Sequence, residues 1–390
     1  MTPAARLSAA IEVLDVYLSG TAAEKALTNW ARRSRFAGSK DRAAVRDIVF
    51  ECLRKRGTYA RLGLTGRGLV LCYSAENAAL IDDMAALFSG EGHAPAPLSE
   101  AEEAGLVQTR DTASDEMTYN MPDWLSGALK SSLGDEAVDV ARALTERAGV
   151  YLRVNSSKGS VEGAITSLAK DGVIAVAHDV SNLALHVVEN PRKVSASEAY
   201  TSGLVELQDA ASQALCAGLP AAKRMLDYCA GGGGKVLAYG DLNDAALFAH
   251  DANPQRLRDL TPRAKRAGVK VKILTTKGCR NAAPFDLVLC DVPCSGSGSW
   301  RRSPEGKWSL THAAFDDLLE VQQDILREAA DLVCENGVLA YATCSLFRQE
   351  NEDQIARFCD DNPSWSCTFE RRFSPLDGGD GFYIAYLTQK

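Results

Sequence analysis

Apolar and polar positions follow two different rhythms along this chain, and the rhythm changes near Tyr151. Before it, apolar residues recur at helical spacing. Leu7, Ile11, Leu14 and Leu18 make one stripe; Val45, Ile48, Val49, Cys52 and Leu53 make another. Ser39-Lys-Asp-Arg-Ala, just ahead of the second stripe, has the character of a helix start. Gly90 to Pro97 is expected to be a loop, and Ser99-Glu-Ala-Glu-Glu to open a further helix. Residues 1–140 are therefore expected to be all-helical. After Tyr151 the pattern shortens. Val150-Tyr-Leu-Arg-Val reads as a strand, Ser160 to Asp171 as a helix, and Val173-Ile-Ala-Val and Leu183 to Val188 as two more strands. This β-α-β-β stretch is assigned to a small subdomain over 141–205.

From Met225 the alternation becomes regular. Strands are expected at Met225-Leu-Asp, Leu247-Phe-Ala-His and Val269 to Leu274, and at the apolar runs Phe285 to Cys290 and Gly337 to Tyr341. Strands alternating with helices imply an α/β fold with a doubly wound parallel sheet, here over 206–390. Thr368-Phe-Glu and Gly381 to Leu387 have no helix between them, which predicts an antiparallel edge.

Composition narrows the setting. Apolar residues make up 46% and charged residues 24%, ordinary for a soluble globular chain. No run approaches 18 apolar residues, so no membrane span is expected, and acids interrupt the N-terminal segment too early for a secretory signal. Eleven cysteines, an odd number without a CxxC pair, indicate free thiols in a reducing cytoplasm and no metal centre. The net charge is −8, but its distribution is uneven. Met1 to Arg67 holds 13 Lys/Arg against 6 Asp/Glu, an excess of +7, while Gly68 to Asn120 holds 10 acids and one Arg. A local basic face is compatible with a nucleic-acid partner, and equally with a solvated surface.

Chemistry concentrates in the second half. Asp227-Tyr-Cys-Ala-Gly-Gly-Gly-Gly-Lys235 follows the first strand of the large sheet, where glycines let a ligand approach and the next helix offers free N–H groups. Neither phosphate-loop pattern is satisfied: Cys229 and Val236 stand where a Walker loop needs Gly and Ser/Thr, and Val236 and Leu237 where a dinucleotide loop needs Gly. A carboxylate can use the same donors. Asp251, at the next strand's end, can accept from ribose hydroxyls. Together they suit S-adenosylmethionine. Cys294 and Cys344 each follow a strand's carboxyl end and are expected to share one cleft. Two thiols without CxxC spacing point to covalent chemistry. Thiolate addition to C6 of a pyrimidine makes C5 nucleophilic, Asp291 can hold the base's N3/N4 edge, and a second thiol can resolve the adduct. Cys52, Cys72, Cys216, Cys290, Cys334 and Cys359 read as packing residues.

These motifs carry a resemblance. Asp291-Val-Pro-Cys-Ser-Gly-Ser-Gly-Ser-Trp-Arg-Arg-Ser-Pro-Glu-Gly-Lys-Trp308 resembles the fourth motif of the RsmB/Nol/Nop/Sun RNA 5-methylcytosine methyltransferases. Tyr341-Ala-Thr-Cys-Ser345 with Glu350-Asn-Glu352 resembles their sixth, and Asp227 to Lys235 their first. Gln208 to Gln213, Leu152 to Asn155 and Gly378 to Tyr383 match as well. Ser39 to Arg54 looks like part of a NusB-type RNA-binding domain. The resemblance implies a Rossmann-like methyltransferase domain, an RRM-like subdomain and a NusB-like helical domain. It implies methylation of cytosine C5 in RNA, with 16S ribosomal RNA as partner, by a monomer. Cys344 takes the nucleophile's role and Cys294 assists release. Cys229, Ala230, Gly231, Gly232, Gly233, Gly234 and Lys235 hold the methionine end of S-adenosylmethionine, and Asp251 the ribose. Asp291 lies between cofactor and base, and Lys235 also faces the base. Two positions depart from the pattern. Gly231-Gly232 replaces Ala-Pro, and Leu274-Thr-Thr-Lys277 lacks the acid expected near the adenine, leaving Thr275 in its place. Arg301, Arg302 and the basic N-terminal face are candidates for phosphate contacts. The alternative is a non-catalytic RNA-binding or ribosome-assembly factor on the same fold; intact Cys294, Cys344 and Asp291 argue against it.

Overall fold

The computed structural model describes residues 1–108 and 119–390. Asp111, Asp115 and Glu116 of the acidic stretch lie outside the described residues. The chain divides into two compact units: 1–147 with 300–309, and 148–299 with 310–390.

The first unit is helical. Helices Pro3–Leu18, Ala23–Arg33, Ser39–Arg54 and Gly66–Glu76 bury the anticipated stripes, with Leu7, Leu14, Val45, Val49, Cys52 and Leu53 in one core. Ser39 does open its helix, and Asp41 accepts from the Gly38 N–H at 3.3 Å across the first turn. The unit also includes Trp300 to Ser309, which sequence order places in the sheet domain. The Glu305 carboxylate accepts from the Ala23 N–H at the start of a helix, at 3.1 and 3.2 Å. Lys307 is fully buried and donates to the Arg54 carbonyl at 2.8 Å, and the Trp308 indole donates to Leu53 at 2.7 Å. Burial, then the Arg54 charge, pushes the Lys307 ammonium down to about 7. Arg301 is buried too, its carbonyl accepting from Arg54 at 2.8 Å. Its expected place on a phosphate-facing surface is therefore corrected: Arg301 packs inside the helical unit.

The second unit carries two sheets. The smaller has strands β1 (Val150–Val154), β2 (Ile174–Ala177), β3 (Ala184–Glu189) and β4 (Val205–Leu207), in the order β2-β3-β1-β4. Pairing is antiparallel throughout. The fourth strand was not apparent in the sequence, because three residues are too few to show alternation. The larger sheet has β5 (Arg224–Asp227), β6 (Ala246–Ala249), β7 (Val271–Ile273), β8 (Phe285–Asp291), β9 (Val333–Thr343), β10 (Trp365–Phe373) and β11 (Phe382–Gln389). Their order is β10-β11-β9-β8-β5-β6-β7. β5 to β9 are parallel, and β11 joins antiparallel to both β9 and β10, the expected edge. Chain order reverses between β5 and β8. Open α/β sheets bind ligands beyond the strand ends at that point, and β5 and β8 end on Asp227 and Asp291.

Candidate active site

The glycine loop leaves β5 at Asp227 and enters the helix Gly234–Leu242. Gly231 and Gly233 have φ of +50° and +81°, values that favour glycine. A Cβ on Gly233 would also lie 2.1 Å from Leu260. The loop is tied to the end of β6. Ala230 N–H donates to the His250 carbonyl at 2.8 Å, and Gly231 N–H to Asp251 at 3.0 Å. Asp251 also accepts from Asn253 N–H at 2.9 Å and lies 3.4 Å from Arg256. His250 is buried with Nδ1 against the Tyr228 carbonyl at 2.7 Å and Nε2 at 2.9 Å from the Thr276 hydroxyl. A carbonyl can only accept, so Nδ1 carries the hydrogen. Cys229 lies in the loop, its thiol held protonated by burial and then by Asp227. Thr275 is exposed, and its hydroxyl caps the helix Thr276–Ala282 by accepting from Gly278 at 3.1 Å.

Asp227 is the residue that sequence reasoning passed over. It is buried, and one carboxylate oxygen has no hydrogen-bond partner. Burial, then the neighbouring Asp291, pushes its carboxyl up to about 7. Lys235 donates to Asp291 at 2.6 Å. Burial works against the Lys235 charge, but Asp291 outweighs it and raises the pKa. Three carboxylates, Asp227, Asp251 and Asp291, thus mark the ends of adjacent strands beside a side-chain-free loop. That set fits the sulfonium, amino group and ribose of S-adenosylmethionine, and the orphaned Asp227 oxygen offers an acceptor.

The two anticipated thiols do meet. Cys344 follows β9 directly, Cys294 stands three residues past β8, and their sulfurs are 3.5 Å apart. The contact with Cys344, then burial, drives the Cys294 thiol well above its ordinary value. A second overlooked residue holds both loops. The Glu350 carboxylate is fully buried. It accepts from Ser295 N–H at 2.7 Å and Gln322 at 3.0 Å on one oxygen, and from the Ser295 and Ser345 hydroxyls on the other. Asn351 donates to the Ser345 carbonyl at 2.9 Å and accepts from Thr343 at 2.6 Å. Gly298 N–H donates to the Cys344 carbonyl at 2.9 Å, and Gly381 N–H to Gly298 at 2.9 Å. A Cβ on Gly298 would lie 2.1 Å from the Gly381 carbonyl, so the Gly378 to Tyr383 motif clamps the Cys294 loop onto the Cys344 loop. Glu350 and Asn351 were visible as part of a motif, but their bracing role was not. Gln322, on the helix His312–Ala330, gave no signal.

Of the cysteines expected to pack, Cys52, Cys72, Cys216 and Cys290 are buried; Cys334 and Cys359 are half-buried.

Residues 218–388 match the family model "16S rRNA methyltransferase RsmB/F". Residues 121–195 match an RsmF/B-like ferredoxin-like domain. Ribosomal RNA small subunit methyltransferase B of Citrobacter koseri is 30% identical over 294 residues, 71% of this chain and 68% of that protein. The chain belongs to the RsmB/F family of 16S rRNA methyltransferases. The Proteus mirabilis relative of the same name is 30% identical over 70% of this chain, which spans 66% of that protein's length. Among solved structures, PH0851 matches over 100% of this chain and 99% of its own, at TM-score 0.75 and 24% identity. NSun6 from Pyrococcus horikoshii with SFG matches 70% of this chain and 99% of its own, at TM-score 0.61 and 19% identity. Both show the fold: the large sheet is that of Rossmann-like methyltransferases. The RsmB/F family is one of S-adenosylmethionine-dependent RNA cytosine-C5 methyltransferases. No described helix is long and apolar enough to cross a membrane.

Proposed function

We propose that this chain methylates C5 of a cytosine in 16S rRNA with Cys344 as nucleophile and Cys294 as the assisting thiol. The observation that carries the reading is the 3.5 Å contact between the sulfurs of Cys294 and Cys344. S-adenosylmethionine supplies the methyl group. The glycine loop 229–234 holds its methionine end, Asp227 faces its positive charge, and Asp251 takes a ribose hydroxyl. Asp251's present contacts use three of its roughly four lone-pair sites, so ribose takes the fourth or displaces the exposed Arg256. Cys344 adds to C6, which turns C5 into the attacking carbon. Asp291, fixed by Lys235, holds the N3/N4 edge of the flipped base. Solvent takes the C5 proton, the freed electron pair re-forms the C5–C6 double bond, and the Cys344 thiolate leaves with Cys294 assisting its departure. The division of labour is a helical RNA-binding domain (1–140), a small subdomain (141–205) and a catalytic domain (206–390). The thiol chemistry uses neither a metal nor a second subunit, which supports a monomer, and eleven cysteines without a disulfide pattern support a reducing, cytoplasmic setting.

Bisulfite sequencing of 16S rRNA from a deletion strain tests the reading. One cytosine protected in the parent becomes convertible in the deletion, and purified enzyme with S-adenosylmethionine restores protection. An identical protection map in both strains contradicts it.

A further inference from the structure

The link between helices Ala23–Arg33 and Ser39–Arg54 carries a feature that the methyl-transfer chemistry leaves unused. Ala37 N–H bonds to the Ser34 carbonyl at 3.0 Å, closing a turn with Arg35 and Phe36 at its centre. Turn centres favour glycine, proline and small polar residues. Phe36 is nonetheless 77% exposed; the next large apolar side chain among the described residues, Val188, is 48% exposed. A lone exposed apolar residue is ordinary, but Phe36 stands in company. With Trp30 and Ala9 it lines a cavity of about 560 Å³. Arg32, Arg35 and Lys40 are exposed beside it in sequence and pair with no carboxylate among the described residues. Asp41, the acid of this stretch, is already engaged by Arg6 at 2.8 Å. Glu12, which lines the same cavity, is paired with Arg33 at 2.7 Å. An exposed aromatic ring flanked in sequence by unpaired cations is the composition of a single-strand nucleic-acid contact, in which the ring stacks a base and the cations meet phosphates.

We propose that Phe36 is a stacking platform for an unpaired base of the RNA substrate, with Arg32, Arg35 and Lys40 contacting the flanking phosphates. The proposal rests on the RNA-methyltransferase reading above and adds a second contact for the same RNA, apart from the target cytosine. Charge favours a polyanion, and the aromatic ring favours one that has bases.

The test measures binding of the full chain to a protein-free 16S rRNA transcript across a salt series, alongside methyl transfer from S-adenosylmethionine. Phe36→Ala should raise Kd roughly five- to 150-fold with an unchanged salt slope, and the loss should fall on KM rather than kcat. Phe36→Trp should bind like the parent, and Phe36→Leu like Phe36→Ala. Arg35→Gln and Lys40→Gln should each lower the slope by about 0.7. The side chain is exposed, so all Phe36 variants should melt with the parent. Parental affinity in Phe36→Ala overturns the proposal. So does full rescue by Phe36→Leu, the sign of a merely apolar contact such as a protein partner. A parent that binds through Phe36 yet transfers no methyl group would instead refute the reaction and leave the platform standing.

Discussion

The two halves of the site are built differently. The proposed cofactor half is local: Asp227 to Lys235 is one continuous stretch, its N–H groups stapled to the His250 carbonyl and the Asp251 carboxylate. The thiol half is assembled from afar. Cys294 and Cys344 sit in loops fifty residues apart, and the buried carboxylate of Glu350 bonds to the serine next to each. A local motif can keep its shape when a neighbour changes. An assembled pair depends on its brace. The halves should therefore fail separately.

Removing the nucleophile gives the largest separation. Cys344→Ala should lower methyl transfer by about 10⁶-fold, the scale seen for deleted nucleophiles. Calorimetry should show S-adenosylmethionine bound as tightly as before. Loss of both together would mean that the halves are one structure.

Removing the brace comes next. Glu350→Ala leaves the Ser295 N–H without its acceptor and the Gln322 amide with the Pro293 carbonyl alone. Unmet buried groups cost about 1–3 kcal/mol each, which urea unfolding will read. A thiol displaced by about an ångström costs roughly 100-fold in rate, so methyl transfer should fall by that order while cofactor affinity holds. Glu350→Gln, which keeps an acceptor, should recover part of both losses. An active Glu350→Ala would show that the glycine clamp alone aligns the thiols.

The smallest effect concerns Asp227. Its carboxyl titrates near 7 in the fold against an ordinary value of 3.8. Between those values the folded chain keeps a proton that the unfolded chain releases. The contribution of Asp227 to stability is therefore greatest below about 3.8 and is lost as pH rises through about 7. A bound sulfonium favours the ionised form, so S-adenosylmethionine affinity should weaken below pH 7, by up to about tenfold per pH unit. S-adenosylhomocysteine, which lacks the sulfonium charge, should show less of this trend, and Asp227→Asn should remove it. A pH-independent affinity in the parent would take Asp227 out of the cofactor half.

Legibility did not follow that divide. The glycine loop, Asp251, Asp291 and both cysteines could be read because each sits beside a strand whose apolar run announces it. Glu350 could be seen but not understood: its bonds run to Ser295, 55 residues away, and spacing along a chain says nothing about such a pairing. Asp227 was hidden by its position inside the strand, where a burial-shifted acid looks like the first letter of a loop. Trp300 to Ser309 misled for the opposite reason. It continues the Cys294 motif, yet Trp300, Arg301 and Lys307 are buried in the helical unit, where Glu305, Lys307 and Trp308 bond to Ala23, Arg54 and Leu53. Adjacency in sequence stood in for adjacency in space, and Arg301 was misplaced with it.

The order in which the thiols act is the centre of the account, and denaturing electrophoresis of enzyme mixed with substrate RNA and S-adenosylmethionine tests it most directly. Cys294→Ala should still attack C6 but fail to release, leaving a protein–RNA adduct that survives denaturation. Cys344→Ala should form none. An adduct trapped in Cys344→Ala and absent from Cys294→Ala would exchange the two roles and contradict the mechanism.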